Sequence, residues 1–361
     1  MRALPDFPWD RLAPFGERAR THPGGVVDLS IGTPVDPTPD VIARALAAAA
    51  DSPGYPLTTG APATRAAVTV WVQRVLGARP GFDVLPTIGT KEFVAWLPTL
   101  LGLGPAERVL IPELAYPTYD VGARLAGAQV IAADSLTAVG PGRVSLVWLN
   151  SPSNPTGRVL PAEHMAKVVS WARDRGALVV SDECYYELPW TERPVSVLHP
   201  DVCGGDPTGV LALHSLSKRS NLAGYRFGFA AGDPGMIARL LEVRKHAGMM
   251  VPGPVQAAAI AALGDDSHVV AQRARYRARR EVLLAALTAA GFRIDESEAG
   301  LYLWVTRDEP CWTTVEWLAD RGILVAPGEF YGAAGARHVR VALTATDERV
   351  AAAGERLAGG L

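Results

Sequence analysis

Cysteine is scarce in this chain, with Cys184, Cys203 and Cys311 the three residues in 361. An odd count with no C-x-x-C pair argues against a disulfide framework and a thiolate zinc site, and fits a reducing cytoplasm. Histidine is sparse too: seven residues without H-E-x-x-H or other paired-ligand spacing, so no metal site is predicted. Neither sign of charge dominates, since 35 Lys and Arg face 37 Asp and Glu for a formal net charge of -2. That balance argues against a nucleic-acid-coating surface and directs attention to small-molecule partners. Even the run Gln272-Arg273-Ala274-Arg275-Tyr276-Arg277-Ala278-Arg279-Arg280 reads, by its helical spacing, as a solvated helix face. G-x-S-x-G and Walker sequences are missing, and Gly102-Leu103-Gly104-Pro105-Ala106-Glu107 lacks the third glycine of a dinucleotide fingerprint. Long apolar runs are missing as well. The first eight residues hold no secretory h-region, and the uncharged stretch Ala247 to Gly264 is interrupted by Pro252, Gly253, Pro254 and Gln256, so no membrane span is predicted.

What the chain does have is 48% hydrophobic and 20% charged residues over a length beyond one ordinary domain, the profile of a globular protein with a large and a small domain. Short β-branched runs alternate with helical patterns, which predicts an α/β fold around a mostly parallel sheet. The expected strands are Val84–Ile88, Arg108–Ile111, Ser145–Leu149, Leu178–Ser181, Val210–His214 and Phe227–Ala231. Helices are expected over Glu92–Leu101, Ala162–Arg175 and Ile237–Lys245. Each strand is mostly apolar throughout, which suits a sheet covered on both faces. From about Pro254 the pattern changes to one long Ala/Arg-rich helix reaching Ala290, then strands Leu301–Thr306, Ile323–Ala326 and Val339–Leu343, a second and smaller α+β unit.

Chemistry-bearing residues cluster at the ends of the expected strands, where open α/β sheets place ligands. Lys218, in Ser215-Leu216-Ser217-Lys218, follows a buried strand, and desolvation there favours the neutral amine that forms an imine. Eight residues on, Arg226 could join Ser215 in holding a phosphate, with the turn Ile88-Gly89-Thr90-Lys91-Glu92 offering backbone N–H groups and a helix dipole to the same anion. Asp182, in Ser181-Asp182-Glu183-Cys184-Tyr185, ends another buried strand, where a carboxylate is costly unless a cation meets it; the protonated ring nitrogen of pyridoxal 5'-phosphate is such a cation. Asn154, in Asn154-Pro155-Thr156-Gly157, and Tyr185 are candidate donors to the ring oxygen of that cofactor. Taken singly, each segment has a plainer reading: a surface lysine, a capped glycine turn, a helix-capping aspartate, an Asn-Pro turn.

As an ordered set, SLSK with Arg226, DECY, NPTG and IGTKE resemble the class I/II aminotransferases, over nearly the whole chain. The resemblance implies the fold-type I pyridoxal-phosphate architecture, with residues 31–253 as the large domain and residues 1–30 joining 254–361 in the small one. It also implies that Lys218 carries the cofactor as a Schiff base, that Asp182 partners the pyridine nitrogen, and that Asn154 and Tyr185 hold the ring oxygen. Lys218, Asp182 and Tyr185 would be the catalytic residues. Gly89, Thr90, Lys91, Ser215 and Arg226 would bind the phosphate end, Tyr116 would stack on the ring, and Tyr55 would reach the phosphate of a second subunit in a homodimer with shared sites. Gly32 and Arg340 would hold the substrate α-carboxylate. Arg340 lies within the alternating apolar segment Val339-Arg340-Val341, where an inward guanidinium needs an anion.

Transamination between an amino donor and a keto acid, in two half-reactions, is what this set implies. The segments Leu4-Pro5-Asp6-Phe7-Pro8-Trp9-Asp10, Ser196–Asp206, Arg244–Pro252, Glu298–Trp304 and Ala326–Gly332 resemble the actinobacterial N-succinyldiaminopimelate branch of the family. That implies N-succinyl-LL-2,6-diaminopimelate and 2-oxoglutarate as substrates, in lysine and diaminopimelate synthesis. Such a polyanionic substrate calls for extra cations, for which Lys91, Arg219, Arg244 and His246 are candidates. Other specificities (acetylornithine, aspartate or aromatic amino acids) and carbon–sulfur cleavage would use the same cofactor residues and stay open.

Overall fold

The structure is a computed structural model and describes Leu4, residues 8–140 and residues 142–359. Pro5, Asp6 and Phe7 of the N-terminal segment quoted above lie outside the described residues. In chain order the strands are β1 (Val27–Asp28), β2 (Asp83–Thr87), β3 (Arg108–Ile111), β4 (Gln129–Ala132), β5 (Leu146–Asn150), β6 (Leu178–Asp182), β7 (Val210–Ser215) and β8 (Gly228–Gly232). They are followed by β9 (Arg293–Asp295), β10 (Tyr302–Thr306), β11 (Ile323–Leu324), β12 (Ala326–Pro327) and β13 (Val339–Ala342).

Seven strands form the main sheet in the order β2-β8-β7-β6-β5-β3-β4. The run from β7 to β4 is parallel, while β8 is antiparallel to both β7 and β2. All five residues of β5 are buried. Val147 and Leu149 enter the core on one face, and Leu146 and Trp148 the core on the other. This two-sided burial is why the central strands read as unbroken apolar runs instead of alternating ones. At 25 cal/mol per Å2, each such side chain contributes about 1.5–3 kcal/mol by leaving water.

Register gathers the chemistry along one edge. Asn150 pairs with Asp182, and Asp182 with Leu213, so the parallel strands end together. Ser215 pairs with Gly228 and Gly228 with Thr87, so the antiparallel β8 starts, and β2 ends, at that same edge. Arg226 therefore arrives beside Ser215, and the helix Gly89–Leu100 begins there too.

A four-stranded antiparallel sheet, β12-β13-β10-β9, and the parallel pair β1–β11 share a core of their own that includes Leu29, Leu303, Val315, Ile323 and Val341. Here the sequence expectations need correcting. The long helix expected up to Ala290 is two helices, Gly253–Gly264 and Ser267–Ala289, because the Asp265 carboxylate accepts the Ser267 and His268 N–H groups and ends the run. Ala258, Ala259 and Ala262 of the first helix belong to a core of the main sheet. The strand expected over Ile323–Ala326 is split, Ile323 pairing with Val27 and Ala326 with Arg340. Nor is the arginine run wholly a solvated face. Gln272, Tyr276 and Arg279 form its buried stripe, and Arg279 is held by Asp36 at 2.6 and 2.8 Å.

Candidate active site

Lys218 lies on the short helix Leu216–Arg219 directly after β7, and the Ser215 hydroxyl caps that helix by accepting the Ser217 N–H at 3.1 Å. Burial pushes the Lys218 amine below the usual lysine range, and the nearby Arg340 and Arg226 charges act the same way. Its Nζ donates to the Gly32 carbonyl. Gly32 needs its missing side chain, since a Cβ there would collide with the Tyr302 hydroxyl.

At the phosphate end, Arg226 adopts a left-handed backbone (φ 58) that turns its guanidinium over the first residue of the helix beginning at Gly89. A Cβ on Gly89 would strike that guanidinium, and Gly89 itself has φ 70. The first turn of the helix, whose N–H groups have no partner within the helix, thus begins beside a cation, an arrangement suited to an anion. The Thr90 hydroxyl accepts from the Cys184 thiol at 3.3 Å, and the Lys91 side chain is exposed. We expect Gly89→Ala to lower thermal stability by about 1–2 kcal/mol through its positive φ and to weaken phosphate-group binding. Melting curves and a cofactor titration check this; wild-type values in both would refute it.

Asp182 ends β6 with its carboxylate buried, accepting from the Tyr119 hydroxyl at 2.9 Å and from the Cys184 N–H at 3.2 Å. Burial raises its pKa above the usual aspartate range despite those donors. Tyr119 stacks on Trp148 and meets Tyr116 edge to face, and burial pushes the Tyr116 phenol up to about 12. Tyr185 and Tyr302 share a hydrogen bond at 3.1 Å between their hydroxyls. Burial works to raise the Tyr302 phenol, but Arg340 and Lys218 outweigh it and hold it below the usual tyrosine value.

Arg340 comes from β13, opposite Trp304 of β10, and is buried. Its Nη1 donates to Asn154 Oδ1 at 2.8 Å and its Nη2 to the Ser30 carbonyl at 2.7 Å, while its Nε has no partner among the described residues. Asn154 is set in turn by its own N–H, which donates to Asn150 Oδ1 at 2.7 Å. The guanidinium carbon lies 3.9 Å from the centre of the Tyr302 ring and 4.9 Å from that of Tyr331.

The structure therefore brings Gly32, Asn154, Asp182, Tyr185, Lys218 and Arg340 together, with Tyr116 beside them and Gly89, Thr90, Ser215 and Arg226 at the phosphate end. Tyr55 stands apart, 98% exposed on this chain. Two candidate extra cations are withdrawn from any ligand. Arg244 is fully buried and grips Glu92 through two bonds of 2.8 and 3.0 Å, and Arg219 is buried against Glu187. Breaking a buried pair of this kind costs about 3–5 kcal/mol, so both are structural. Sequence reading missed Tyr119, Tyr302 and Tyr331. For Tyr302 a signal existed, because in a strand it lies on the same face as Trp304 and hence the face of Arg340.

The family model for class I and II aminotransferases matches residues 24–357. The chain belongs to this family. A probable aminotransferase of Mycobacterium tuberculosis is 64% identical over 98% of this chain and 85% of its own length. The 4-dedimethylamino-4-oxo-anhydrotetracycline transaminase of Streptomyces rimosus is 60% identical over 99% of this chain and 100% of its own. Among solved structures, a probable N-succinyldiaminopimelate aminotransferase from Thermus thermophilus superposes with a TM-score of 0.87 at 29% identity, covering 98% of this chain and 99% of that one. Aminotransferases of this family work with pyridoxal 5'-phosphate, and the residues of this one fit it: a desolvated amine, a buried carboxylate short of a cation, and a cation over a helix start. No helix among the described residues is long and apolar enough to cross a membrane.

Proposed function

We propose that this aminotransferase exchanges the amino group of N-succinyl-LL-2,6-diaminopimelate with 2-oxoglutarate, reversibly, in lysine and diaminopimelate synthesis. Arg340 carries the carboxylate part of that reading. A buried guanidinium held among the described residues by two neutral oxygens, Asn154 Oδ1 and Ser30 O, with an unpaired Nε, is short of an anion, and a substrate α-carboxylate supplies one. Gly32 allows that group close approach to the backbone.

When bound, pyridoxal 5'-phosphate supplies the carbonyl that takes up the amine and the ring that withdraws electrons. The chain does the rest. Arg226, Ser215 and the N–H groups from Gly89 to Lys91 hold the phosphate. Asp182 keeps the ring nitrogen protonated, Tyr119 orients Asp182, and Tyr185 and Asn154 donate to the ring oxygen. Tyr116 covers the ring. Lys218 anchors the cofactor and, once freed, takes the proton from the substrate α-carbon, a task for which its depressed pKa suits it. Tyr55, so exposed here, reaches the phosphate of a second copy in a homodimer.

Support for the succinylated substrate comes from the segments named above and from the likeness to the Thermus thermophilus structure. The Streptomyces rimosus relative favours a second reading, amination of a ring ketone on a tetracycline skeleton. Absorbance of the cofactor-loaded protein separates the two. N-succinyl-LL-diaminopimelate, added without a keto acid, is expected to bleach the lysine-bound cofactor band to the pyridoxamine form, faster than acetylornithine or simple amino acids do. A band that resists this donor but yields to another amino acid keeps the aminotransferase and discards the succinylated substrate.

A further inference from the structure

The Arg340 site contains a group that the roles above do not use. Tyr331 is 3% exposed, yet its hydroxyl has no hydrogen-bond partner among the described residues. Buried polar atoms in folded proteins are paired with few exceptions, and each exception asks for a missing partner. Tyr331 is not free to swing toward one. Its carbonyl accepts the Ala115 N–H at 2.8 Å, Trp304 packs edge-on against its ring at 6.3 Å, and a Cβ on the following Gly332 would collide with the Glu113 carbonyl.

Its neighbour shares the defect. The Arg340 guanidinium carbon lies 4.9 Å from the Tyr331 ring centre, and Arg340 Nε is likewise a buried donor without a partner among the described residues. Two adjacent residues, locked in place, each lack an acceptor. We propose that Tyr331 is a further substrate-positioning residue, whose hydroxyl donates to the carboxylate that pairs with Arg340. This rests on the reading of Arg340 as the carboxylate anchor.

Burial pushes the Tyr331 phenol well above the usual tyrosine value, so it remains an O–H donor at neutral pH. Around the carboxylate, Arg340 then presents N–H donors and Tyr331 an O–H that can donate to it. A carboxylate, which only accepts, satisfies both.

Tyr331→Phe in the cofactor-loaded protein tests the idea, with Arg340→Lys as its companion. Both half-reactions bind a carboxylate at the same place, so Tyr331→Phe is expected to raise KM for amino donor and keto acceptor alike, on the order of tenfold, with kcat within about twofold. Calorimetric titration with glutarate, which binds without reacting, is expected to show the same factor in Kd. The melting temperature stays level or rises, since the oxygen removed had no partner. If Arg340→Lys raises KM while Tyr331→Phe leaves KM and glutarate affinity alone, Tyr331 is not a substrate residue and the inference falls by itself. If neither variant moves KM, the Arg340 reading falls and takes this one with it. Lower kcat and melting temperature at unchanged KM would make the hydroxyl structural and also overturn the proposal.

Discussion

Replacing Lys218 by alanine is expected to leave a folded protein that has lost the absorbance band of a lysine-bound cofactor and about 10^4-fold or more of its turnover. The expectation follows from position. Lys218 is the amine brought to the strand-end edge, and its pKa is lowered first by burial and then by Arg340 and Arg226. A neutral amine both attacks a carbonyl and accepts a carbon-bound proton, so one substitution removes nucleophile and base together. Circular dichroism checks the fold, absorbance the cofactor, and an amino-transfer assay the turnover. Substantial turnover in this variant would sink the assignment.

Asp182→Asn is the second large effect, and it has two opposite signs. In the cofactor-loaded protein, on the proposed assignment, it removes the anion that would pair with the ring nitrogen. Removing one preorganised electrostatic partner of the reacting groups costs about 10^2- to 10^3-fold in rate. In the cofactor-free protein the same change is expected to stabilise. Burial raises the Asp182 pKa in the folded state above its unfolded value, so the folded form holds its proton longer. Stability then falls as pH rises from the unfolded carboxylate pKa, about 3.9, through the folded one, and the penalty is full above it. The asparagine variant escapes that penalty: its advantage is expected at neutral pH and vanishes below about pH 3.9. Denaturation of both cofactor-free proteins at several pH values checks this. A variant less stable at neutral pH would mean that the Tyr119 and Cys184 donors outweigh desolvation.

These residues could be found without coordinates because of where they stand. Asp182 ends a run of buried apolar residues and Lys218 comes three residues after another, and a polar group so placed is conspicuous in one dimension; Asn154, four residues past β5, is found through the ordered set of motifs. What could not be read is whatever depends on register between distant segments. Glu92 and Arg244 are 152 positions apart, and Tyr119 and Asp182 are 63 apart. No local pattern reports that they meet. The break between the helices around Asp265 is a different case. Gly264-Asp265-Asp266-Ser267 carries both a stop and a cap, and the helix-forming residues on either side concealed it. Arg279 was misread for a related reason: counting charge along a helix does not reveal that Asp36, far away in the chain, waits on its inner face.

The contact between Lys218 and the Gly32 carbonyl gives the reacting lysine a second occupation. Residues 30–32 leave β1 and cross to the strand-end edge, tethered at Ser30 by Arg340, at Ile31 by Thr344 and at Gly32 by Lys218. One of those tethers comes from β13 and one from Thr344 just beyond it, but the third belongs to a nitrogen to which the proposed reaction gives other work. Whenever that nitrogen bonds elsewhere, the Gly32 carbonyl gives up this donor and the segment keeps the tethers at Ser30 and Ile31.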